Sequence, residues 1–250
     1  MLLVLACLVA VSAGCGRRAP QGTPEERTAF VARRTAEAQR LLGLRPPQAD
    51  GACEAALDAL AIEPENLPAR LALSDAYFAK REYKQSLRAL KPLLKGAAAQ
   101  DQEVLYRQAR GQYWFHTYYT RGNYARARAS AQACLAAGDR YMVECYAIIR
   151  NSYIGEVKGD EARLPEAYRQ AAASAQELLD RLTPEHDAYG DTLLVLAELH
   201  MVNLSDEATG RAFLARAVEA SQGRPELQAR VRGFERTLDL RRAISAPAAQ

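Results

Sequence analysis

Residues 67–94, LPARLALSDAYFAKREYKQSLRALKPLL, decide the fold of this chain. In their first half, apolar or small residues recur at helical spacing and not in the alternation of a strand. These residues are Leu71, Leu73, Ala76, Tyr77 and Ala79. After the polar residues 80–82, a second helical pattern places Tyr83, Leu87, Leu90 and Leu94 on one face. Each helix is apolar along one stripe only, so this stretch predicts an antiparallel helical hairpin.

The hairpin resembles the tetratricopeptide repeat (TPR), a 34-residue pair of helices with the pattern W-x2-L-G-x2-Y, then A-x3-F, then P. The matching residues are Leu73, Ser74, Tyr77, Tyr83, Ser86 and Leu90. The Trp of the pattern is replaced by Arg70. Small residues suit the positions where two helices cross most closely, and Ser74 and Ser86 satisfy that requirement. The resemblance implies an α-helical repeat protein.

The same register recurs on both sides of this hairpin. Ala52 lies 34 residues before Ser86 and begins the spacing of a second repeat helix, A-x3-A-x2-A-x4-P. Ala127 lies 41 residues after Ser86, and Tyr118 and Tyr124 fall at the aromatic positions of the repeat with that same offset. The seven extra residues amount to about two helical turns, so a longer helix keeps its buried face.

The predicted fold class is therefore all-α: a TPR-like α-solenoid of about five helical hairpins plus a C-terminal capping helix, spanning residues 23–244. The alternative is an ordinary helical bundle in which the alanines recur by coincidence. Thr23, Pro24 and Glu26 predict a capped start for the first helix. Thr183 predicts another capped start, and residues 245–250 are predicted to form a disordered tail.

The first fifteen residues, MLLVLACLVAVSAGC, resemble a bacterial lipoprotein signal. Residues 1–14 are too short to span a bilayer and suit a cleaved signal peptide. The resemblance implies lipidation of Cys15, a flexible tether over residues 15–22, and, from Gly16, an outer-membrane address facing the periplasm. Ser12 departs from the usual Leu, and no Lys or Arg precedes the apolar run. A plain secretory signal cut near Ala13 and an uncleaved anchor are the alternatives.

The charges of the chain nearly balance, at a formal net charge of +3. Its Lys and Arg residues are scattered, which argues against a nucleic-acid partner, although Arg121, Arg126 and Arg128 form a small cluster. Cys134 and Cys145 lie on successive predicted helices. They are interpreted either as a disulfide favoured by an oxidising compartment or as small residues of the helix packing.

The sequence contains no arrangement typical of an enzyme. His116, His186 and His200 do not form a metal-binding pair, and there is no C-x-x-C, phosphate-binding glycine loop or G-x-S-x-G. We therefore expect no catalytic residues, no metal site and no cofactor.

Aromatic residues are concentrated on one predicted hairpin. The candidate binding residues are Tyr113, Trp114, Phe115, Tyr118 and Tyr119. Helical spacing places Trp114 with Tyr118 on one face and Phe115 with Tyr119 on another, and both faces cannot be buried within one hairpin. Phe115 also falls where the repeat prefers a small residue, which predicts a crevice. A ligand or partner site is one interpretation, and core packing of these rings is the other.

The leading functional prediction is a membrane-tethered scaffold without catalysis that binds a protein or peptide in the cell envelope. A scaffold of this kind resembles TPR lipoproteins that assist assembly of outer-membrane β-barrels or of type IV pilus secretins. A second prediction is a small ligand held in an aromatic pocket, as in the T-component family of TRAP transporters. A third is a purely structural tether between envelope layers.

Overall fold

A computed structural model describes residues 22–120 and 122–245, and within these residues the chain is all-helical, with no β-strand. The prediction of an all-α fold is confirmed. Signal residues 1–14, Cys15, most of the tether over residues 15–22 and the tail beyond residue 245 lie outside the described residues. Eleven α-helices are described: α1 (Pro24–Leu42), α2 (Ala49–Ile62), α3 (Leu67–Ala79), α4 (Tyr83–Leu90), α5 (Gln102–Phe115), α6 (Tyr124–Ala137), α7 (Met142–Glu156), α8 (Leu164–Arg181), α9 (Asp187–Glu198), α10 (Glu207–Ala220) and α11 (Pro225–Ser245).

Short helices of other types extend three of these elements. Two 3-10 helices, Leu93–Lys95 and Ala97–Gln100, follow α4. A π-helical turn, His116–Thr120, follows α5, and a second, Leu199–Asn203, follows α9. Each π-helical turn therefore prolongs the first helix of a hairpin before the chain reverses.

The start of α1 is capped as the sequence predicts. Thr23 Oγ1 accepts a hydrogen bond from the Glu26 amide at 3.3 Å, and Glu26 Oε2 accepts one from the Thr23 amide at 2.8 Å. Pro24 occupies the first helical position, where its missing N–H has no helical partner to lose. This capping box satisfies two otherwise orphaned amides.

The predicted cap of α9 at Thr183 is wrong by three residues. The amide of His186 donates to the Thr183 carbonyl at 3.0 Å, so Thr183 begins a turn and not a helix. His186 is the actual cap, because its Nδ1 accepts from the Ala188 amide at 3.1 Å.

The α3–α4 hairpin packs through the two predicted small residues. Ser74 Oγ and Ser86 Oγ are 2.9 Å apart, and both residues are buried. Each hydroxyl satisfies the other, so two polar atoms are buried at this crossing without the desolvation penalty of an unpaired group.

A small buried residue stands at the same place in every second helix of a hairpin. It is the fourth residue of α2, α4, α6, α8 and α10: Ala52, Ser86, Ala127, Ala167 and Gly210. The sequence pattern identified the first three, whereas the structure extends the same register to α8 and α10. Close helix–helix approach requires a small side chain at such a position.

The described helices group into two compact units, one ending at Ala99 and one beginning at Gln100. In the first unit each helix packs on the next, and α1 also packs on α3. Its core is formed mainly by alanines, namely Ala38, Ala52, Ala55, Ala56, Ala72 and Ala76. Alanine cores allow the helix axes to approach closely, and they leave little tolerance for added volume.

In the second unit, α5, α6 and α7 share one cluster, and α8, α9, α10 and α11 share another. The sequence predicted that a longer helix takes up the seven extra residues of the third hairpin. Its first helix is longer than that of the second hairpin: α5 has 14 residues and its π-helical turn five more, whereas α3 has 13.

Candidate functional site

The five predicted binding residues lie together at the end of α5. Tyr113, Trp114 and Phe115 occupy its last turn, and the following π-helical turn carries Tyr118 and Tyr119. A π-helical turn rotates the side chains away from regular α-helical positions and is frequent at functional sites. We call these five residues the aromatic turn.

The aromatic turn contains two stacked pairs of rings. Trp114 and Tyr118 stack with ring centroids 5.6 Å apart and an interplanar angle of 22°. Phe115 and Tyr119 lie at the same centroid distance with a tilt of 37°. The predicted assignment of these rings to two faces is confirmed, and each pair gains stabilisation from ring contact.

The outer ring of each pair is exposed to solvent. Tyr118 is 57% exposed and Tyr119 is 61% exposed, while Trp114 and Phe115 are half-buried beneath them. The core-packing interpretation of Tyr118 is therefore wrong, whereas it holds for Tyr124, which is buried. Two large rings exposed in one helical turn provide exposed apolar surface of the kind that marks interaction sites.

Phe115 does not occupy the small-residue position that the 41-residue offset assigned to it. Phe115 is half-buried and lies outside the buried cluster that joins α5 to α6. That cluster contains the fully buried Ala109 of α5 together with Ala127 of α6, so the buried packing of the two helices involves small residues and not the ring of Phe115.

Contacts with α6 and α7 fix the base of the aromatic turn. The hydroxyl of Tyr124 donates to Thr117 Oγ1 at 3.3 Å, and Thr117 Oγ1 donates to the Tyr113 carbonyl at 2.8 Å. A Cβ atom at Gly155 would lie 2.9 Å from Cζ of Tyr124, so only glycine leaves room for this ring. The turn that carries the exposed rings is thus held by hydrogen bonds and close packing, which lowers the conformational entropy lost on binding.

Two titratable groups of this region have shifted pKa values. Burial raises the pKa of the Tyr113 hydroxyl, so this group stays neutral. Partial burial lowers the pKa of His116, and the positive charge of Arg126 lowers it further. His116 is therefore neutral at pH 7, since its ordinary pKa is already about 6.5.

The buried cysteines Cys53, Cys134 and Cys145 are free thiols. Cys134 and Cys145 pack in one cluster, and Cys134 Sγ donates to the Gln102 carbonyl at 3.7 Å. This contact joins the start of α5 to the end of α6 and agrees with the interpretation of Cys134 as a small packing residue.

A groove that sequence reasoning missed lies at the other end of the second unit. It has a volume of about 270 Å³ and is open to solvent. Its lining residues are Met201, Arg211, Leu214, Glu235, Leu238 and Asp239. They come from a π-helical turn, α10 and α11, and their sequence spacing gave no signal that they converge.

Among residues 22–120 and 122–245, no three His, Cys, Asp or Glu side chains are grouped so that they could hold a metal ion. No helix in the same part of the chain has the length and apolar character needed to cross a membrane.

No family model matches the chain, and neither a characterised protein nor a solved structure shows significant similarity to it.

Proposed function

We propose that this protein is a non-catalytic TPR-like binding module that holds a protein or peptide partner at the aromatic turn. The proposal places it in the bacterial cell envelope, attached to a membrane through lipid on Cys15. The observation that carries it is the exposure of Tyr118 and Tyr119, each more than half open to solvent above a half-buried ring. Aromatic side chains of this kind dominate the binding energy of many interfaces.

The TPR-like part of the proposal is supported by the repeated register of the second helices. Ala52, Ser86, Ala127, Ala167 and Gly210 recur at intervals of 34, 41, 40 and 43 residues. Four of the five are almost completely enclosed, and Gly210 is also buried. An ordinary bundle has no reason to place a small residue at the same position of five successive hairpins, whereas a repeat architecture requires it.

A protein or peptide partner fits the aromatic turn better than a small molecule does. Small ligands are usually enclosed on most of their surface by a concave pocket. Tyr118 and Tyr119 are instead more than half exposed at the end of a helix, a geometry that suits an extended partner surface. A small ligand of the kind expected for a TRAP transporter T-component is the second outcome that the following experiment distinguishes.

Replacing Tyr118 and Tyr119 together with alanine should weaken partner binding by about tenfold or more, because truncating a central aromatic residue commonly costs about 1–2 kcal/mol. We expect photo-crosslinking from position 115 in intact cells to capture a protein with the wild-type chain and to lose it in the double variant. Leu57→Ala, which removes an exposed side chain of α2, is the control and should keep the crosslink. Equal crosslinking in the double variant, or retention of only a small molecule in native mass spectra, would contradict the proposal.

Replacing Cys15 with alanine should release the protein from membranes without unfolding it, because several acyl chains anchor durably whereas the folded helices do not. The measurement is membrane fractionation together with the intact mass of the extracted protein, which should begin at Cys15 and include acyl chains. Cys7→Ala is the matched control and should remain attached. A Cys15→Ala protein that stays on the membrane, or a wild-type mass that retains Met1, would remove the basis for the lipid anchor.

A further inference from the structure

The stretch around the aromatic turn contains no acidic residue. Between Val104 and Gly138 the chain has no Asp or Glu, although the whole chain has 30 of them in 250 residues. The same stretch contains five arginines: Arg107, Arg110, Arg121, Arg126 and Arg128. A stretch of chain whose charged side chains are all positive favours partners that carry negative charge.

This positive charge lies on the hairpin that carries the aromatic turn. The described residues of α5, its π-helical turn and α6 include four arginines but one carboxylate, that of Glu103. Glu103 lies in the first turn of α5, roughly 20 Å along the helix from Tyr118. Its carboxylate forms an ion pair with Arg107 at 3.3 Å, so it neutralises positive charge at the end of the hairpin that is far from Tyr118.

The neighbouring helices do not reverse the sign near the aromatic turn. Glu156 of α7 comes close, but Arg128 pairs with it at 2.6 Å. Arg126 is exposed in the first turn of α6, and Tyr124 in the same turn has its ring 6.1 Å from the ring of His116 in the π-helical turn. The end of the hairpin that carries the π-helical turn thus has excess positive charge.

A further cation, Arg150, lies on α7. The guanidinium of Arg150 is close enough to Tyr113 to influence its hydroxyl, and burial lowers the pKa of Arg150. Glu198 of α9 interacts with Arg150 electrostatically without forming an ion pair with it in the described residues. A positive charge that burial disfavours gains stability when an anionic group approaches it.

Building on the proposed function, we infer that the partner segment is an acidic peptide. Its carboxylates meet Arg126 and the positive field of the hairpin, and its apolar side chains pack on the open rings of Tyr118 and Tyr119. Single-stranded nucleic acid also combines stacking with positive charge, but it needs a basic groove that follows the strand. Here the exposed rings are confined to one helical turn, and the net charge of the chain is only +3, so the peptide is favoured.

The test is selection from a random dodecapeptide display library on the purified full-length mature protein. Peptides whose binding depends on Tyr118 and Tyr119 should be enriched in Asp and Glu over the input library. Arg126→Glu should weaken the selected peptides by about tenfold or more in fluorescence anisotropy, and their affinity should fall with added salt. Arg232→Glu, an equal charge change at an exposed site of α11, should leave the affinity unchanged.

The outcomes separate the two proposals. Selected peptides that depend on Tyr118 and Tyr119 but are neutral or basic would overturn the acidic-peptide inference and leave the proposed binding function standing. A selection in which no peptide depends on the two tyrosines would count against both. Tighter binding of a labelled oligothymidylate than of the selected peptides would overturn the inference in favour of nucleic acid.

Discussion

Replacing Gly210 with alanine should lower the free energy of unfolding by about 1–3 kcal/mol, the usual cost of adding volume to a close-packed site. A Cβ atom at this position would lie 2.9 Å from the Met201 amide nitrogen and 3.1 Å from the Ala197 carbonyl oxygen, and it would also collide with Cγ of Met201. Two of these three atoms belong to the backbone, so α10 must move away from α9 and its π-helical turn. The measurement is chemical denaturation, with the change read from the midpoint at constant slope.

Gly233→Ala is the matched control for this prediction. Gly233 also lies within a helix, α11, but apart from the neighbouring backbone of that helix no atom lies within 4 Å of the Cβ that alanine would add. Alanine should therefore stabilise the protein there by about 0.5–1 kcal/mol, the ordinary preference of a helix for alanine over glycine. Equal effects of the two substitutions would show that Gly210 is not the point of close approach in the last hairpin.

Replacing Ala127 with leucine should also lower the free energy of unfolding by about 1–3 kcal/mol. Ala127 is fully buried and packs in one cluster with Ala109, so the three added carbon atoms have no space between α5 and α6. For a protein of this size, each kcal/mol lowers the melting temperature by about 2–4 °C. Thermal unfolding followed by circular dichroism measures the change.

The control for Ala127→Leu lies two residues further along the same helix. Ala129 is exposed, so leucine at that position adds volume only toward solvent and should leave the melting temperature nearly unchanged. An unchanged melting temperature for Ala127→Leu itself would mean that the register assigned to the third hairpin is incorrect.

The features that the sequence predicted correctly are those that depend on residues close together along the chain. The Thr23–Glu26 capping box was predictable because both partners are three residues apart and no distant residue is needed. The small crossing residues Ser74 and Ser86 were predictable because helical periodicity fixes which side of each helix faces the other. The stacked faces of the aromatic turn followed from the same periodicity.

The features that the sequence did not predict correctly depend on an insertion or on contacts between distant residues. The 41-residue offset is correct for α6, but it placed Phe115 at a helix crossing, whereas Phe115 lies outside the buried cluster of α5 and α6. The register of α8 and α10 was missed because the intervals that lead to Ala167 and Gly210, 40 and 43 residues, repeat neither 34 nor 41. Exposure of Tyr118 was not predictable, since it depends on the π-helical turn.

By itself, the sequence determined the all-α class, the capped start of α1 and the clustering of aromatic residues, because each of these depends on residues close together along the chain. Tertiary structure alone decided which rings remain exposed to solvent, and that Ala109 and not Phe115 joins the buried cluster of Ala127. The physical reason is that burial and charge proximity are properties of packed neighbours. Those neighbours come from different helices, and their distances are fixed only when the helices assemble.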